Sequence, residues 1–286
     1  MKTALAYCHP LVAPVGSNLY YSLLFTPTEK KEAIVALHAF YHELESIEEK
    51  CKTPEMAMQR FQWWRGELHR LFNGTPEHIA GKALYPFIQK YHLPKTIFSA
   101  LIEGMETKYL HPYYETIDDL VNDAHHSWSL IAILSAHVLG DTSKEAFLLA
   151  RDLGVCWLLS QCIKKLPWHL HQKRYAIPTE LLTKHQLTQT TFTVLFTKKN
   201  PQKKILKQAG QTLKELAEIA KKYYQSAIES APTTTQKTQT SSLIYTQLAL
   251  APLKKLNKTT FSPKNYPLLI SPIRKWWIST KIHLTQ

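Results

Sequence analysis

Glu45 and Glu49 stand four residues apart in the stretch AIVALHAFYHELESIEE, residues 33–49, with His38 and His42 close to the same line. Four residues is just over one helical turn, so the two carboxylates share a face if the stretch is a helix. Two carboxylates so placed can hold a divalent cation when a facing helix supplies further ligands. A run of the form His-x3-His-x2-Glu can also serve a transition metal. The same spacing describes a solvated acidic helix surface equally well, and no other segment offers an evident completing ligand.

The elements that must carry these residues read as helices. Ile34, Leu37, Phe40, Tyr41, Leu44 and Ile47 recur at a helical period, which predicts one helix from a cap at Thr28 to about Lys50. Pro54 opens a second that ends at Asn73-Gly74. Further helices are predicted from about Pro76 to Tyr91, from Pro94 past Lys108, from Thr116 to Leu139 and from Ser143 to Ile163. Pro167 to Pro178 reads as polar and irregular. Thr179 caps a short helix, Pro201–Ser230 is a long basic helix, and Ala231–Ser242 is a polar loop. A last helix is predicted from Ser242 to about Leu256, followed by a tail from Pro267 to Thr280. No strand-like alternation, repeat or glycine-rich phosphate loop is visible.

The chain has 286 residues, 44% of them hydrophobic, and only eight glycines, which suits a helical core and not a loop-rich β fold. Its net charge of +13 is unevenly placed: residues 164–286 hold 21 Lys/Arg against 4 Asp/Glu, and the rest of the chain is net acidic. Such a half suits an anionic partner, although lysines spread over many turns also make an ordinary solvated face. The four cysteines form no CxxC and read as reduced thiols. The first residues lack the apolar run of a signal peptide, and no stretch reaches 18 apolar residues. These features predict a cytoplasmic protein, with peripheral attachment to an inner membrane as a further expectation.

Several stretches resemble the squalene/phytoene synthase family. They are SNLYYSLLFTPTEKKEAIVALHAFYHELESIEE, FQWWRGELHRLFNGTPEHIAGKAL, IFSALIEGMETKYLHPYYETIDDL and LGVCWLLSQCIKKLPWHLHQKRYAIP, together spanning about residues 17–190. The resemblance implies an all-α fold, an isoprenoid-synthase-type helical bundle with a central cavity. It is taken to fill residues 1–286 as one domain, basic and helical from about residue 200. In that family two carboxylate motifs on facing helices hold Mg²⁺ on a prenyl diphosphate, whose charge must be neutralised when it leaves in an apolar cavity.

The departures fall where that chemistry would be. The first motif offers Glu45, Ser46 and Glu49; the second has Lys165 and His169 where the family has aspartates, preceded by Gln161 in place of asparagine. A third family acid is Lys108, and a small-residue kink reads WSLIA, Trp128–Ala132. A charged lysine cannot ligate and repels a cation. One non-catalytic branch of the family, which serves assembly of mitochondrial complex I, resembles this chain further in KKLPWHLHQKRYAIP, with its Pro-x-His at residues 167–169.

The expectation is therefore a binding or assembly protein with no catalytic residues and no metal ligands. Tyr41, His42, Glu45, Glu49, Lys108, Gln161, Lys165, His169 and Arg174 are its candidate cleft, able to take a prenyl diphosphate or lipid headgroup through charge-assisted contacts. No cofactor is expected; Mg²⁺ enters only under the alternative, an active prenyl transferase with a rebuilt site. A protein client and an anionic membrane surface are the further partner classes. Nucleic acid is not, since no recognition module accompanies the charge. Trp276 and Trp277 beside Arg274 and Lys275 would suit a headgroup layer, but a terminal helix with both rings in the core is expected.

Overall fold

The computed structural model describes residues 2–196, 202–257, 261–266 and 268–286, and among them there is no strand, only one isolated bridge between Tyr113 and Tyr175. The first half runs through α1 (Lys2–Val12), α2 (Asn18–Ser22), α3 (Thr28–Glu45), α4 (Ile47–Lys50), α5 (Pro54–Phe72), α6 (Ile79–Lys90), α7 (Lys95–Leu110), α8 (Ile117–His125) and α9 (Trp128–Leu139). The second half runs through α10 (Lys144–Lys164), α11 (Leu166–His171), α12 (Thr179–Lys184), α13 (Gln189–Val194), α14 (Lys203–Ser230), α15 (Thr233–Thr238), α16 (Thr240–Leu250) and α17 (Pro272–Thr285).

The bundle is built around α10, which packs on α9, α14, α16 and α8. Its apolar residues are buried nearly all round, from Leu149 to Ile163, as a central helix requires. α10 is long and apolar enough to cross a membrane, and burial against its neighbours accounts for that composition. Two glycines permit the closest approaches. A Cβ on Gly154 of α10 would lie 2.3 Å from the Ser129 backbone of α9, and one on Gly104 of α7 would lie 2.1 Å from the His126 carbonyl oxygen.

Helix caps follow the sequence at Thr53, Thr116 and Ser143, each of which accepts a backbone N–H with its side chain. Several boundaries differ from those predicted. The helix predicted over Thr28–Lys50 has Pro27 and not Thr28 at its N-cap position, with no side-chain cap bond, and is interrupted at Ser46, whose hydroxyl donates to the Glu43 carbonyl at 2.8 Å. The one predicted over Thr116–Leu139 is divided at Ser127, whose hydroxyl donates to the Asp123 carbonyl at 2.6 Å. In each case a serine at the break bonds a helix carbonyl, and neither Gly nor Pro announces the interruption. The irregular segment after Pro167 contains α11, since proline fits a helix's first turn. The Thr-rich stretch 233–242 is helical rather than a loop, with Gln239 and Thr235 buried. An N-terminal helix, α1, was not predicted at all. Pro201 and Pro267, the predicted starts of the long basic helix and of the tail, lie outside the described residues.

Trp276 and Trp277 correct the expectation of a docked terminal helix with its rings in the core: they are 53% and 56% exposed. The helix does dock, on α16 and α2, but through Ile278, Ser279 and Ile282.

Candidate functional site

Six helices end around one cleft. α3 brings Tyr41, His42 and Glu45; α4 brings Glu48 and Glu49; α7 brings Lys108 and α8 Asp123; α10 brings Gln161 and Lys164; α11 brings His169. Lys165 is the residue between α10 and α11, its N–H bonded to the Gln161 carbonyl at 2.8 Å. Lys173 adopts a left-handed conformation (φ 56°) that ends α11 and turns the chain back. Arg174 then follows with its N–H on the His169 carbonyl at 2.8 Å. The segment beyond is held by Tyr175 N–H to Pro112 O (2.9 Å) and Thr179 N–H to Tyr114 O (3.0 Å).

At the floor of this cleft each carboxylate meets a cation of the chain itself. Lys108 Nζ lies 3.6 Å from Asp123 Oδ2, and Tyr114 donates its hydroxyl to the same oxygen at 2.6 Å. Arg174 pairs with Glu48, donates to the Lys108 carbonyl at 3.0 Å and lies over the Tyr109 ring at 5.4 Å. Nearer the mouth, Lys165 Nζ lies 3.5 Å from Glu45 Oε2.

The electrostatics follow from these pairs. Burial alone would lower the Lys108 pKa, but the carboxylates of Asp123, Glu45 and Glu48 outweigh it and the net shift is upward. Burial raises Glu48 despite Arg174. His169 is held down to about 3 by burial, reinforced by the cations of Lys108, Lys165 and Arg174, so it is neutral near pH 7.

The free space lies outside the floor. A cavity of about 970 Å³ is bordered by Glu49, Trp168, Phe196 and Tyr266, and a second of about 320 Å³ by Tyr41, Trp128, Gln161 and Tyr245. The two share His42, Glu45, Lys164 and Lys165 as walls. Around Lys108, His169 and Arg174 only about 20 Å³ remains, room for roughly one water. Beside the inner cavity the Tyr41 hydroxyl, His42 Nδ1 and Trp128 Nε1 are buried, none of them hydrogen-bonded among the described residues. Such groups cost free energy unless a ligand or water meets them.

The nine candidates thus divide. Tyr41, His42, Glu45, Gln161 and Lys165 line the inner cavity, Glu49 the outer one, and Lys108, His169 and Arg174 the closed floor. The His38-His42-Glu45-Glu49 line does not converge: His38 is buried against Trp128, Trp157 and Tyr245, and Glu49 follows the break at Ser46. Among the described residues no three His, Cys, Asp or Glu side chains come together as a metal site.

Sequence reasoning missed Glu48 and Asp123 as ion-pair partners, and it missed Lys164 and Lys275. The Lys164 pKa is pushed down to about 8 by burial and by the nearby Lys275 and Lys165 cations. Lys275 reaches the same inner cavity from α17. The Lys164-Lys165 doublet at a helix end was the available signal; nothing in the sequence brings Lys275 to it, 111 positions further on.

An all-α bundle with a charged cleft between its helix ends is the isoprenoid-synthase architecture. Over 99% of this chain and 96% of the other, it superposes on a dehydrosqualene synthase crystal structure with a TM-score of 0.79 at 17% identity. Over 91% of the chain and 96% of the other, it superposes on squalene synthase HpnC from Alicyclobacillus acidocaldarius with a TM-score of 0.69 at 16% identity. Residues 12–273 match the Squalene/phytoene synthase family, and the chain belongs to it. Among curated relatives, NADH dehydrogenase (ubiquinone) complex I, assembly factor 6 of Bos taurus is 24% identical over 65% of this chain. A 15-cis-phytoene synthase of Synechococcus elongatus is 24% identical over 51%. The matched stretch spans 56% of the former's own length and 47% of the latter's.

Proposed function

We propose that this chain is a non-catalytic member of its family, a binding or assembly protein whose cleft takes an amphiphilic anion, a prenyl diphosphate or a lipid phosphate, without Mg²⁺. The observation that carries this is the internal pairing of Glu45 with Lys165, Glu48 with Arg174 and Asp123 with Lys108. Carboxylates already neutralised by fixed cations are poor ligands for a hard dication, and each ammonium or guanidinium repels one. These residues therefore do not suit the Mg²⁺ that the family's reaction uses.

A metal-free anion site has better support. Lys164, Lys165 and Lys275 border the inner cavity, and apolar and aromatic side chains, Trp168, Leu170, Phe196 and Tyr266, border the outer one. Ammonium groups make charge-assisted bonds to phosphate oxygens, and an apolar tail would occupy the outer cavity. The resemblance to complex I assembly factors supports an assembly role in which a protein client is the second partner.

The test is calorimetry with a non-hydrolysable farnesyl diphosphate analogue, in Mg²⁺ and in EDTA. The expected result is equal affinity in both buffers and no diphosphate release from farnesyl or geranylgeranyl diphosphate. Binding that requires Mg²⁺, or diphosphate release that a Lys165→Ala/His169→Ala variant lacks, would overturn the proposal in favour of an active prenyl transferase. No binding in either buffer would remove the ligand and leave the assembly role, to be pursued by capture of the client.

A further inference from the structure

We propose that the outward face of α17 is a docking surface for an anionic lipid bilayer. At 3.6 residues per turn, Ile273, Trp276, Trp277, Thr280 and Leu284 fall on one side of this helix. Lys275, Ile278, Ser279 and Ile282 fall on the opposite side. The second set is turned inward. Ser279 is fully buried, Ile278 and Ile282 pack on the cluster containing Ile244 and Leu248, and Lys275 donates to the Gly16 carbonyl at 2.7 Å. Four of the first set are large apolar side chains that face out: Ile273 is 80% exposed and Leu284 77%, with both tryptophans more than half exposed. An ordinary surface helix of a globular protein carries polar residues on its outward side.

Two further apolar residues near the ends of the docked segment are exposed: Val15, beside the Gly16 that anchors Lys275, and Leu269, just ahead of the helix. An exposed row of large apolar side chains such as Ile273, Trp276, Trp277 and Leu284 marks an interaction site.

Charge identifies what covers it. Arg274 and Lys281 lie along one edge of the apolar face, and the Lys281 ammonium lies over the Trp277 ring at 5.2 Å. From residue 230 to residue 286 the sequence holds eight Lys or Arg and no Asp or Glu. Tryptophan at an apolar–polar boundary, bordered by cations with no carboxylate among them, matches an anionic headgroup layer over acyl chains. A soluble protein partner would be expected to meet a more mixed rim. The inference does not depend on what the cleft binds.

The experiment is sedimentation of the full chain with vesicles of phosphatidylglycerol and phosphatidylcholine, against vesicles of phosphatidylcholine alone. Brominated acyl chains serve as a fluorescence quencher. The expected result is binding to the anionic vesicles, quenched tryptophan emission, and loss of binding as salt shortens the screening length. Trp276→Ser/Trp277→Ser should weaken partitioning on the order of tenfold, and Arg274→Gln/Lys281→Gln about fivefold for each charge. Both variants should keep the wild-type far-UV spectrum and thermal midpoint, because the altered side chains are solvent-facing.

Three results would overturn the proposal. The first is no vesicle binding by the wild-type chain. The second is vesicle binding that survives the tryptophan substitutions but is abolished by Lys164→Met, which would assign it to the cleft. The third is a dimer in light scattering that becomes monomeric in the tryptophan variant while ignoring vesicles, which would make a second copy the occupant.

Discussion

At the floor of the cleft, Lys108 and Asp123 lie 3.6 Å apart with side chains 10% and 8% exposed; near its mouth, Lys165 and Glu45 lie 3.5 Å apart at 41% and 23%. The separations are alike and the surroundings are not. The floor pair has a third partner in the Tyr114 hydroxyl and roughly one water's worth of space around it. The mouth pair borders two cavities and shares its wall with Lys164, whose ammonium has no carboxylate within ion-pair distance among the described residues. Charge is consumed at the floor and left in excess at the mouth. The neutralised floor and the proposed anion site thus lie a few residues apart.

The most direct way to break this contrast is to remove one member of the floor pair. Asp123→Ala leaves the Lys108 ammonium buried without its strongest partner and strips Tyr114 of its acceptor. The expected loss is about 3–5 kcal/mol of folding stability, measured by urea denaturation. Replacing both, Lys108→Met with Asp123→Asn, should recover most of that loss, because a buried pair is replaceable by neutral groups more readily than it is divided. A small effect of Asp123→Ala would mean that water reaches the floor, and the distinction between floor and mouth would fail.

The next effect belongs to the mouth. Lys164→Met should lower affinity for the diphosphate analogue by about 1.5–3 kcal/mol, the worth of a charged hydrogen bond. It should not destabilise the apo protein, since the cation it removes is half-buried and has no ion-paired carboxylate among the described residues. The pH dependence sharpens this. With its folded pKa near 8 and an unfolded value near 10.5, Lys164 is charged in both states below pH 8. Between about 8 and 10.5 the unfolded chain holds more protons, so the Lys164 contribution to apo stability rises with pH across that window. Anion binding should do the opposite and weaken as pH passes about 8. Calorimetry at pH 7 and pH 9 on wild type and Lys164→Met should show the pH effect in the wild type and a reduced one in the variant.

Much of the architecture was legible because periodicity and caps agree. α5 announces itself through Thr53, Pro54 and its apolar stripe, and α8 through Thr116 and Asp119. The breaks at Ser46 and Ser127 were not, since serines bonded to helix carbonyls also sit inside unbroken helices, as Ser135 does in α9. α15 was hidden in a threonine run whose helical state rests on burial of Thr235 and Gln239 and not on propensity. The candidate residues were legible singly, from resemblance. Their partnerships were not: Lys108 meets Asp123 across two helices, and Arg174 meets Glu48 from 126 positions away. Such pairs are products of tertiary packing, which spacing along one helix cannot encode. The same holds for α17, whose apolar residues predicted a buried face while the inward positions were already filled by Ile278 and Ile282.

The smallest effect tests the contrast from the opposite side. Lys165→Met breaks the mouth pair at the same nitrogen–oxygen separation as the floor pair, to within 0.1 Å. An ion pair this exposed contributes below about 1 kcal/mol, because water solvates whichever partner is left behind. The Glu45 carboxylate would face a solvated cavity instead of being stranded. The expected change in urea midpoint is therefore small, several-fold below that of Asp123→Ala, and raising salt should reduce it further. If Lys165→Met were as damaging as Asp123→Ala, the mouth would be as dry as the floor. A diphosphate would then have to displace a tightly held pair in order to bind, and the affinity of the analogue should rise on removing Glu45 instead of depending on Lys164 alone. Glu45→Gln in the same calorimetric assay decides between the two: a modest gain in affinity is expected from relief of repulsion at an open mouth, and a gain of a hundredfold or more would mean the mouth is closed in the resting protein.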